Sequence, residues 1–380
     1  MKKKYIILSI ITLVLLITFV TSFNYFKTSN TYVENNSNNQ TKITKGISMN
    51  LEKTAGAGDY KQVTQSSWPT EGYKFNAELS KCENGGEISW DDTKKAVIVS
   101  GNLSDKCYVY FDIYQLTLAE YIKSQYTGTQ GENNIYYHDS SLANGAGDNS
   151  YRYAGASDSV NNYICLGSDA TTCPDANLFR IIGVFGNQTK VIRAKSVGYQ
   201  QWHTSADNTW SSSSLNAYLN GTYLTSLGTI AEKIATTTWK VGGGSGSNIS
   251  ASVPATAYKN EVGSSASTTI IDKKIGLMYV SDYGFAASPS AWTKILGDYD
   301  GTDANGTSIK TINWMYMGYN EWTISRHSDN TNSAFFVNST GNVLGSNVRS
   351  DNGVRPSFNL ESSVKYVSGS GSMSDPVRVN

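Results

Sequence analysis

Short stretches in which apolar and polar residues alternate make up much of the chain after residue 45, and glycine or asparagine separates them. The clearest example lies near the C-terminus, where an alternating run at 334–338 is followed by polar turns at 339–342 and by the segment 353–356. This pattern is typical of short antiparallel strands joined by tight turns. Because the neighbouring residues Phe335 and Phe336 point to opposite faces of a strand, we expect the hairpin to lie between two packed layers.

Helical periodicity is confined to short segments. Thr117 and Glu120 have the spacing of a capping box, which predicts a helix beginning at Leu118. A second helix is predicted from apolar residues at helical spacing, Leu215, Leu219, Tyr223 and Leu227. The glycine- and serine-rich residues 242–267 predict a long irregular loop, and the apolar run 274–281 predicts a buried strand.

Taken together, the patterns predict an α+β fold class with several segments. The predicted boundaries are a membrane helix at 1–27, a flexible stalk at 28–45, a small β module at 46–114, a capped helix with a loop connector at 115–150, and a domain of antiparallel strands with a few short helices and a C-terminal hairpin at 151–380.

The N-terminal segment has the composition of a membrane anchor. Three lysines at 2–4 precede an uncharged apolar run at 5–23, about the length of roughly 20 residues that spans a bilayer as a helix. The lysines place the N-terminus inside and the bulk of the chain outside. The alternative is a secretory signal cleaved after Ser22. The sequence therefore predicts either a single-pass membrane protein with an extracellular C-terminal bulk or a secreted protein.

The four cysteines are predicted to form disulfides because the chain is predicted to be exported and they show no metal-ligand spacing. Cys82 and Cys107 flank a short β-meander in the small module, and Cys165 and Cys173 bracket a polar loop in the larger domain. Of the three possible connectivities, Cys82–Cys107 with Cys165–Cys173 keeps both disulfides local, so it is the predicted one.

Charge and composition narrow the possible partners. The chain has 31 basic and 31 acidic residues, and only 16% of all residues are charged, which offers no electrostatic reason to expect nucleic acid as a partner. The predicted partners are the membrane, through the N-terminal helix, and a glycan or a surface protein. No cofactor is predicted.

The order of features near the C-terminus resembles that of a known group of domains. A W-x-x-S strand, an aromatic strand, a G-x-V hairpin and the closing Gly353-Val354-Arg355-Pro356 follow one another, as in domains related to the formylglycine-generating enzyme and the C-type lectin fold. This chain is also similar to an uncharacterised family of Gram-positive surface proteins, whose domain ends in the same Gly-Val-Arg-Pro strand. The resemblance implies a C-type-lectin-like domain on an exported protein.

The resemblance does not extend to the known chemistry of those domains. The formylglycine-generating enzyme works through two cysteines in its C-terminal region, whereas no cysteine follows Cys173 in this chain. The sugar-binding and calcium-binding motifs of C-type lectins are also missing. The residues 298–303 match a calcium loop loosely, without the distal glutamate, so a solvated loop is favoured. His138, His203 and His327 lack metal-ligand spacing.

Polar loops that carry aromatic and charged residues are the candidate binding positions. The predicted binding residues are Tyr199, Trp202, His203, Arg326, Asp298 and Asp303. A rigid aromatic side chain with a polar tip is a frequent contact for sugars and peptides. Local packing is the alternative role for Trp202 and its neighbours.

Two functions follow from these observations. The first is a non-enzymatic binding or adhesion protein of the cell surface that uses loops of a lectin-like domain. It is favoured because no nucleophile and base, or set of metal ligands, is evident. The alternative is an envelope enzyme on a fold related to the formylglycine-generating enzyme, without its cysteine pair.

Overall fold

The structure is a computed structural model that describes residues 46–64, 67–69, 72–101 and 105–380. The predicted membrane helix and stalk lie outside these described residues. Within them no helix has the length and apolar character needed to cross a membrane, so the prediction of a single-pass membrane protein is not borne out by the described structure. The chain divides into two compact units, one ending at Gln115 and the other comprising Leu116–Asn380.

The first unit is a small β module. Its strands are β1 Ile47–Glu52, β2 Tyr60–Val63, β3 Tyr73–Cys82, β4 Glu87–Asp91, β5 Ala96–Ser100 and β6 Cys107–Ile113. Four of them form a sheet in the order β2-β1-β6-β3, with β1 and β6 parallel, and β4 pairs with β5. Cys82 and Cys107 lie opposite each other on β3 and β6 and form the predicted disulfide. The disulfide stabilises a module whose small core includes Val109 and Phe111.

The second unit is built from short strands. Their bounds are β7 Ile135–His138, β8 Ser150–Tyr153, β9 Tyr163–Cys165, β10 Leu178–Phe185, β11 Gln188–Arg193, β12 Tyr199–Gln201, β13 Thr237–Lys240, β14 Ile270–Lys273, β15 Ile275–Gly276, β16 Glu321–Arg326, β17 Ser333–Val337, β18 Val343–Asn347, β19 Asp351–Gly353, β20 Ser357–Asn359, β21 Tyr366–Ser368 and β22 Val377–Val379.

These strands form three sheets. The nine-stranded sheet has the order β15-β20-β11-β10-β9-β22-β21, and β8 joins it by pairing with β10 and with β7. The five-stranded sheet has the order β12-β19-β16-β17-β18, and β13 pairs with β14. The second disulfide, Cys165–Cys173, closes the loop after β9 and has the predicted pairing. One apolar core, rich in tryptophan and tyrosine, contains residues from all three sheets.

The helices are few and short, which corrects the predicted α+β class to a mostly β fold with 18% helix. They are α1 Leu118–Ser124, α2 Ser214–Tyr218, which continues through a π-turn into α3 Leu224–Ser226, α4 Pro254–Glu261 and α5 Val280–Ala286. None of the described helices exceeds the eight residues of α4. The capping box of Thr117 and Glu120 is present at the start of α1.

Two local predictions in the second unit were wrong. The predicted loop 242–267 contains α4, which begins with Pro254 at its first position, where the missing amide hydrogen costs no hydrogen bond. The predicted strand 274–281 contains β15 and then the start of α5. A short apolar run does not by itself distinguish a buried strand from a buried helix.

Two strands pair in succession with one edge of β10. Leu178 and its neighbours pair with β9, and Gly183 and Val184 pair with β8, while the pairing with β11 on the other edge has a register shift between Ile181 and Gly183. A Cβ atom at Gly183 would lie 2.3 Å from the Tyr151 carbonyl oxygen, so glycine is required for this approach. The pairing places Arg152 of β8 opposite Gly183.

A buried ion pair joins the five-stranded sheet to the segment that enters the nine-stranded sheet. Arg355 Nε donates to Glu321 Oε1 at 2.5 Å and Nη2 donates to Oε2 at 2.9 Å. The same Nη2 donates to the Met315 carbonyl oxygen at 2.7 Å. Glu321 opens β16, while Arg355 lies between β19 and β20. Both side chains are buried, so each charge depends on the other for compensation.

We predict that Glu321→Gln destabilises the protein strongly, because it leaves the buried Arg355 guanidinium without a counter-charge. The expected loss in the free energy of unfolding is about 3–5 kcal/mol, measured by urea denaturation. The control is Glu361→Gln at an exposed position, where a change within about 0.5 kcal/mol is expected. Equal, small losses for both variants would contradict the role given to the pair.

Candidate functional site

A cavity of about 190 Å3 lies in the second unit among the nine-stranded sheet, β13, α4 and α5. We call it the Lys190 cavity. Its charged wall residues are Arg152, Lys190, Lys240 and Asp282, and its aromatic ones are Phe185, Trp239, Tyr258 and Tyr279. Three basic residues and one acidic residue therefore face a space that is otherwise largely aromatic.

Lys190 is held at the cavity by an ion pair with Asp282. The strand β11 places Lys190 opposite Asn359 of β20, and its side chain is buried. The ammonium Nζ donates to Asp282 Oδ2 at 2.6 Å. The same carboxylate oxygen accepts from the Tyr279 amide at 2.8 Å, at the N-terminus of α5. Burial lowers the pKa of Lys190, and the charge of Asp282 opposes that effect.

Three aromatic rings surround the Lys190 ammonium. Its nitrogen lies 4.6 Å from the ring centre of Tyr279, 5.4 Å from that of Trp239 and 5.8 Å from that of Phe185. The negative faces of such rings attract a cation, more strongly where water is excluded. The rings therefore stabilise the charged form of Lys190 in a position where water cannot solvate it fully.

Arg152 supplies the second cation, and one part of its guanidinium has no hydrogen bond in the described structure. Nε donates to Ser150 Oγ at 2.8 Å, and Nη2 donates to Asp148 Oδ2 at 2.6 Å. Nη1 lies 3.6 Å from Asp282 Oδ1, which is beyond hydrogen-bonding distance. The guanidinium is thus fixed in orientation while Nη1 remains available to another acceptor.

The elements around the cavity are fixed by buried hydrogen bonds. Glu261, the last residue of α4, accepts from the Val280 amide at 2.9 Å and from the Ser281 amide at 2.8 Å. The Ser325 hydroxyl of β16 also donates to Glu261. Burial raises the pKa of this carboxyl, although these hydrogen bonds oppose the increase. Because α4, α5 and β16 meet at one side chain, the shape of the cavity is preorganised.

The neutral polar groups of the wall also leave an unused hydrogen-bonding atom. Asn359 Nδ2 donates to Thr237 Oγ1 at 3.0 Å, and Asn359 Oδ1 has no partner among the described residues. The cavity thus combines positive charge, aromatic faces and unused polar atoms. This combination fits a small ligand that carries an anionic group. Among the described residues, no group of three or more His, Cys, Asp or Glu is placed to hold a metal ion.

None of the six binding residues predicted from the sequence lies in the wall of the Lys190 cavity. Tyr199 is 59% exposed on β12, with its ring centre 6.1 Å from that of Tyr319. Trp202 is fully buried and its indole N–H donates to the Thr323 carbonyl oxygen at 3.0 Å, so it is a core residue and not a surface contact. His203 is also buried.

The charged residues among the six predicted binding residues lie in different environments. Asp303 is buried and accepts from the amides of Asn305 at 2.9 Å and Thr307 at 2.8 Å, so it shapes its own turn. Asp298 is exposed at the end of a short 3-10 turn. Arg326, at the end of β16, lines a separate cavity together with Trp210. The structure therefore brings Arg326 together with Trp210, which follows the predicted binding residues Trp202 and His203 in the chain.

Sequence reasoning missed Arg152, Lys190 and Asp282. A signal was present, because each is a charged residue next to apolar or aromatic residues. Lys190 precedes Val191 and Ile192, and Asp282 stands in a helix whose residues are all buried. Charged residues are almost never fully buried unless they are paired, so such positions predict a partner. The sequence does not identify which partner it is.

A comparison with protein-family models finds a match to a family described as Domain of unknown function (DUF6273), over residues 186–362. The matched segment contains Lys190, Asp282, Asn359 and Arg326, but it begins after Arg152. Searches of curated proteins and of solved structures found no match. The family description states no activity.

We predict that the ion pair of Asp148 with Arg152 contributes stability that acid removes. Although burial opposes the shift, Arg152 lowers the pKa of Asp148 to about 2, below its ordinary value of 3.8. The contribution is therefore complete above about pH 4 and is lost as the pH falls through about 2. Its size is on the order of 2 kcal/mol.

Urea denaturation at several pH values tests this prediction. Asp148→Asn should reduce the free energy of unfolding at pH 7 by at least that amount, and the difference from the unmodified protein should nearly disappear at pH 2. Asp158→Asn, at an exposed position, is the control. A difference for Asp148→Asn that is the same at pH 7 and pH 2 would rule out the assigned pairing.

Proposed function

We propose that the second unit is a non-enzymatic binding domain, and that it holds the anionic group of a small ligand between Lys190 and Arg152. The observation that carries the proposal is the set of donors that these buried cations leave unused. The structure gives Lys190 Nζ one hydrogen bond, to Asp282, and leaves Arg152 Nη1 3.6 Å from Asp282 Oδ1. A ligand oxygen would provide the missing acceptor.

The charge balance of the wall supports an anion over a cation. Three basic residues and one acidic residue line the Lys190 cavity, so positive charge stays in excess even when the pairing of Arg152 with Asp148 is counted, and burial strengthens the interaction with a bound charge. The aromatic side chains would exclude water and contact an apolar or C–H-rich part of the ligand. An acidic sugar at the end of a glycan has both parts, a carboxylate and a ring with C–H faces, so it is the ligand class that we favour.

This proposal keeps the binding function expected from the sequence and moves the ligand to another place. Trp202 cannot act as an exposed contact for a ligand, since it lies in the core. The enzyme alternative is supported by one observation, the lowered pKa of Lys190, which is a property of some catalytic lysines. The hydrogen bond of 2.6 Å to Asp282, however, favours retention of the proton.

Three compounds that share a pyranose ring test the proposal, namely glucuronate, glucose 1-phosphate and uncharged glucose. We expect glucuronate to bind saturably in calorimetry and to raise the Tm. Glucose 1-phosphate should also bind and raise the Tm, to a degree set by how well its larger phosphate group fits. Glucose should neither bind nor raise the Tm. The double variant Lys190→Gln/Asp282→Asn removes both charges, and the carboxamide oxygen that it introduces can still accept from the Tyr279 amide. It should fold and bind glucuronate at least tenfold more weakly, a change of about 1.4 kcal/mol.

Lys195→Gln is the matched control, because Lys195 forms an exposed ion pair with Asp175 outside the cavity. It should bind as the unmodified protein does. Equal binding of glucose and glucuronate, no binding of either anion, or full binding by the double variant would refute the proposal. Recovery of a chemically altered sugar would instead support the enzyme alternative.

A further inference from the structure

The second unit contains another cavity, also of about 190 Å3, which we call the Arg326 cleft. Its wall contains Arg326, Trp210 and the exposed Ile270, together with the hydroxyl-bearing Thr209 and Thr269. It shares no wall residue with the Lys190 cavity. The Arg326 cleft is therefore a separate site with its own chemistry.

Arg326 brings to the cleft a positive charge that has no carboxylate partner. Its Nε donates to the Gly242 carbonyl oxygen at 3.0 Å, and Nη1 makes a longer contact of 3.3 Å with Asn208 Oδ1. In the described structure neither nitrogen forms an ion pair. The neighbouring Asp207 accepts instead from the amide and hydroxyl of Thr209. The guanidinium is thus oriented by neutral groups, and its charge is left for a ligand.

Trp210 adds a second unused donor. The side chain is 1% exposed, and its indole N–H has no acceptor among the described residues. Its ring packs against Trp202, with 5.0 Å between the ring centres, so the indole is held in place. A buried donor without an acceptor costs free energy, which an oxygen atom entering the cleft would recover.

The third feature is an apolar edge strand. Ile270 is 55% exposed at the start of β14, beside the buried Val241, and both line the cleft. In the described part of the chain β14 pairs with β13 and with no other strand, so the outer edge of β14 presents unpaired backbone groups. An extended peptide can pair with such an edge.

From these three features we infer that the Arg326 cleft binds the C-terminal end of an extended peptide. The terminal carboxylate accepts from the Arg326 guanidinium and the Trp210 indole N–H, and an apolar terminal side chain packs against Ile270. The peptide backbone then runs along the free edge of β14. A guanidinium matches the planar geometry of a carboxylate, and one uncompensated cation matches its single charge.

The test uses the dipeptide N-acetyl-Ala-Val and its C-terminal amide, which differ in the carboxylate. In the 15N-labelled protein, the indole N–H signal of Trp210 is assigned by its loss in Trp210→Phe. We expect N-acetyl-Ala-Val to shift this signal saturably and the amide to bind at least tenfold more weakly. Arg326→Gln should weaken the dipeptide at least tenfold, whereas Arg349→Gln, at an exposed arginine outside the cleft, should not.

A second variant covers the case in which Arg326→Gln does not fold. Ile270→Ser changes an exposed side chain, so the fold should persist while the affinity for N-acetyl-Ala-Val falls more than that for N-acetylglycine. Equal affinities for acid and amide, no shift of the Trp210 signal, or competition by glucuronate would overturn the inference. Lys190→Gln/Asp282→Asn should bind the dipeptide normally, which separates this test from that of the Lys190 cavity.

Discussion

The bidentate ion pair between Glu321 and Arg355 is the interaction on which the arrangement of the second unit depends. It occurs where the chain leaves β19 of the five-stranded sheet and enters β20 of the nine-stranded sheet. Gly353, two residues earlier, pairs with Tyr199 of β12 and with Glu321 of β16. Two buried charges are tolerated in this position because both oxygens of the carboxylate and two nitrogens of the guanidinium are bonded.

At Arg355 the chain passes from the five-stranded sheet to the nine-stranded sheet, and this passage determines where β20 lies. The position of β20 in turn determines where the Lys190 cavity lies. The strand β20 pairs with β11 on one side and with β15 on the other. Its Asn359 is opposite Lys190, so the register of this one pair places both residues in the cavity wall. A shift of β20 by one residue would turn Asn359 to the other face of the sheet, away from the cavity.

Both proposed binding sites contain a cation with hydrogen-bond donors that the protein does not use. A buried or half-buried cation is oriented by groups of the protein, yet some of its donors remain unused. The Asp282 carboxylate lies beside both Lys190 and Arg152, and Arg152 also pairs with Asp148, whereas the partners of Arg326 are neutral. Such donors are costly to bury without acceptors, which is the reason that both sites point to ligands that carry oxygen and negative charge.

Features that depend on residues close together in the sequence could be predicted from the sequence. The capping box of α1, the apolar face around Leu215 and Leu219, the alternating strands at the C-terminus and the two local disulfides each follow from short spacings. The α+β class overstated the share of helix, yet α4 and the start of α5 were missed, because the glycine-rich run 242–267 and the apolar run 274–281 fit more than one local structure.

Only the tertiary structure decided which distant residues meet. Lys190 and Asp282 are 92 residues apart in the chain, and Glu321 and Arg355 are 34 apart. Trp202 stands in a polar segment that suggested exposure, yet β16 covers it and accepts its indole hydrogen bond. Composition and periodicity describe what each segment can bury, whereas the choice of partner for a buried charge depends on how the sheets pack. The packing of the sheets, and the pairing of buried charges that follows from it, therefore determined where the candidate ligand sites lie.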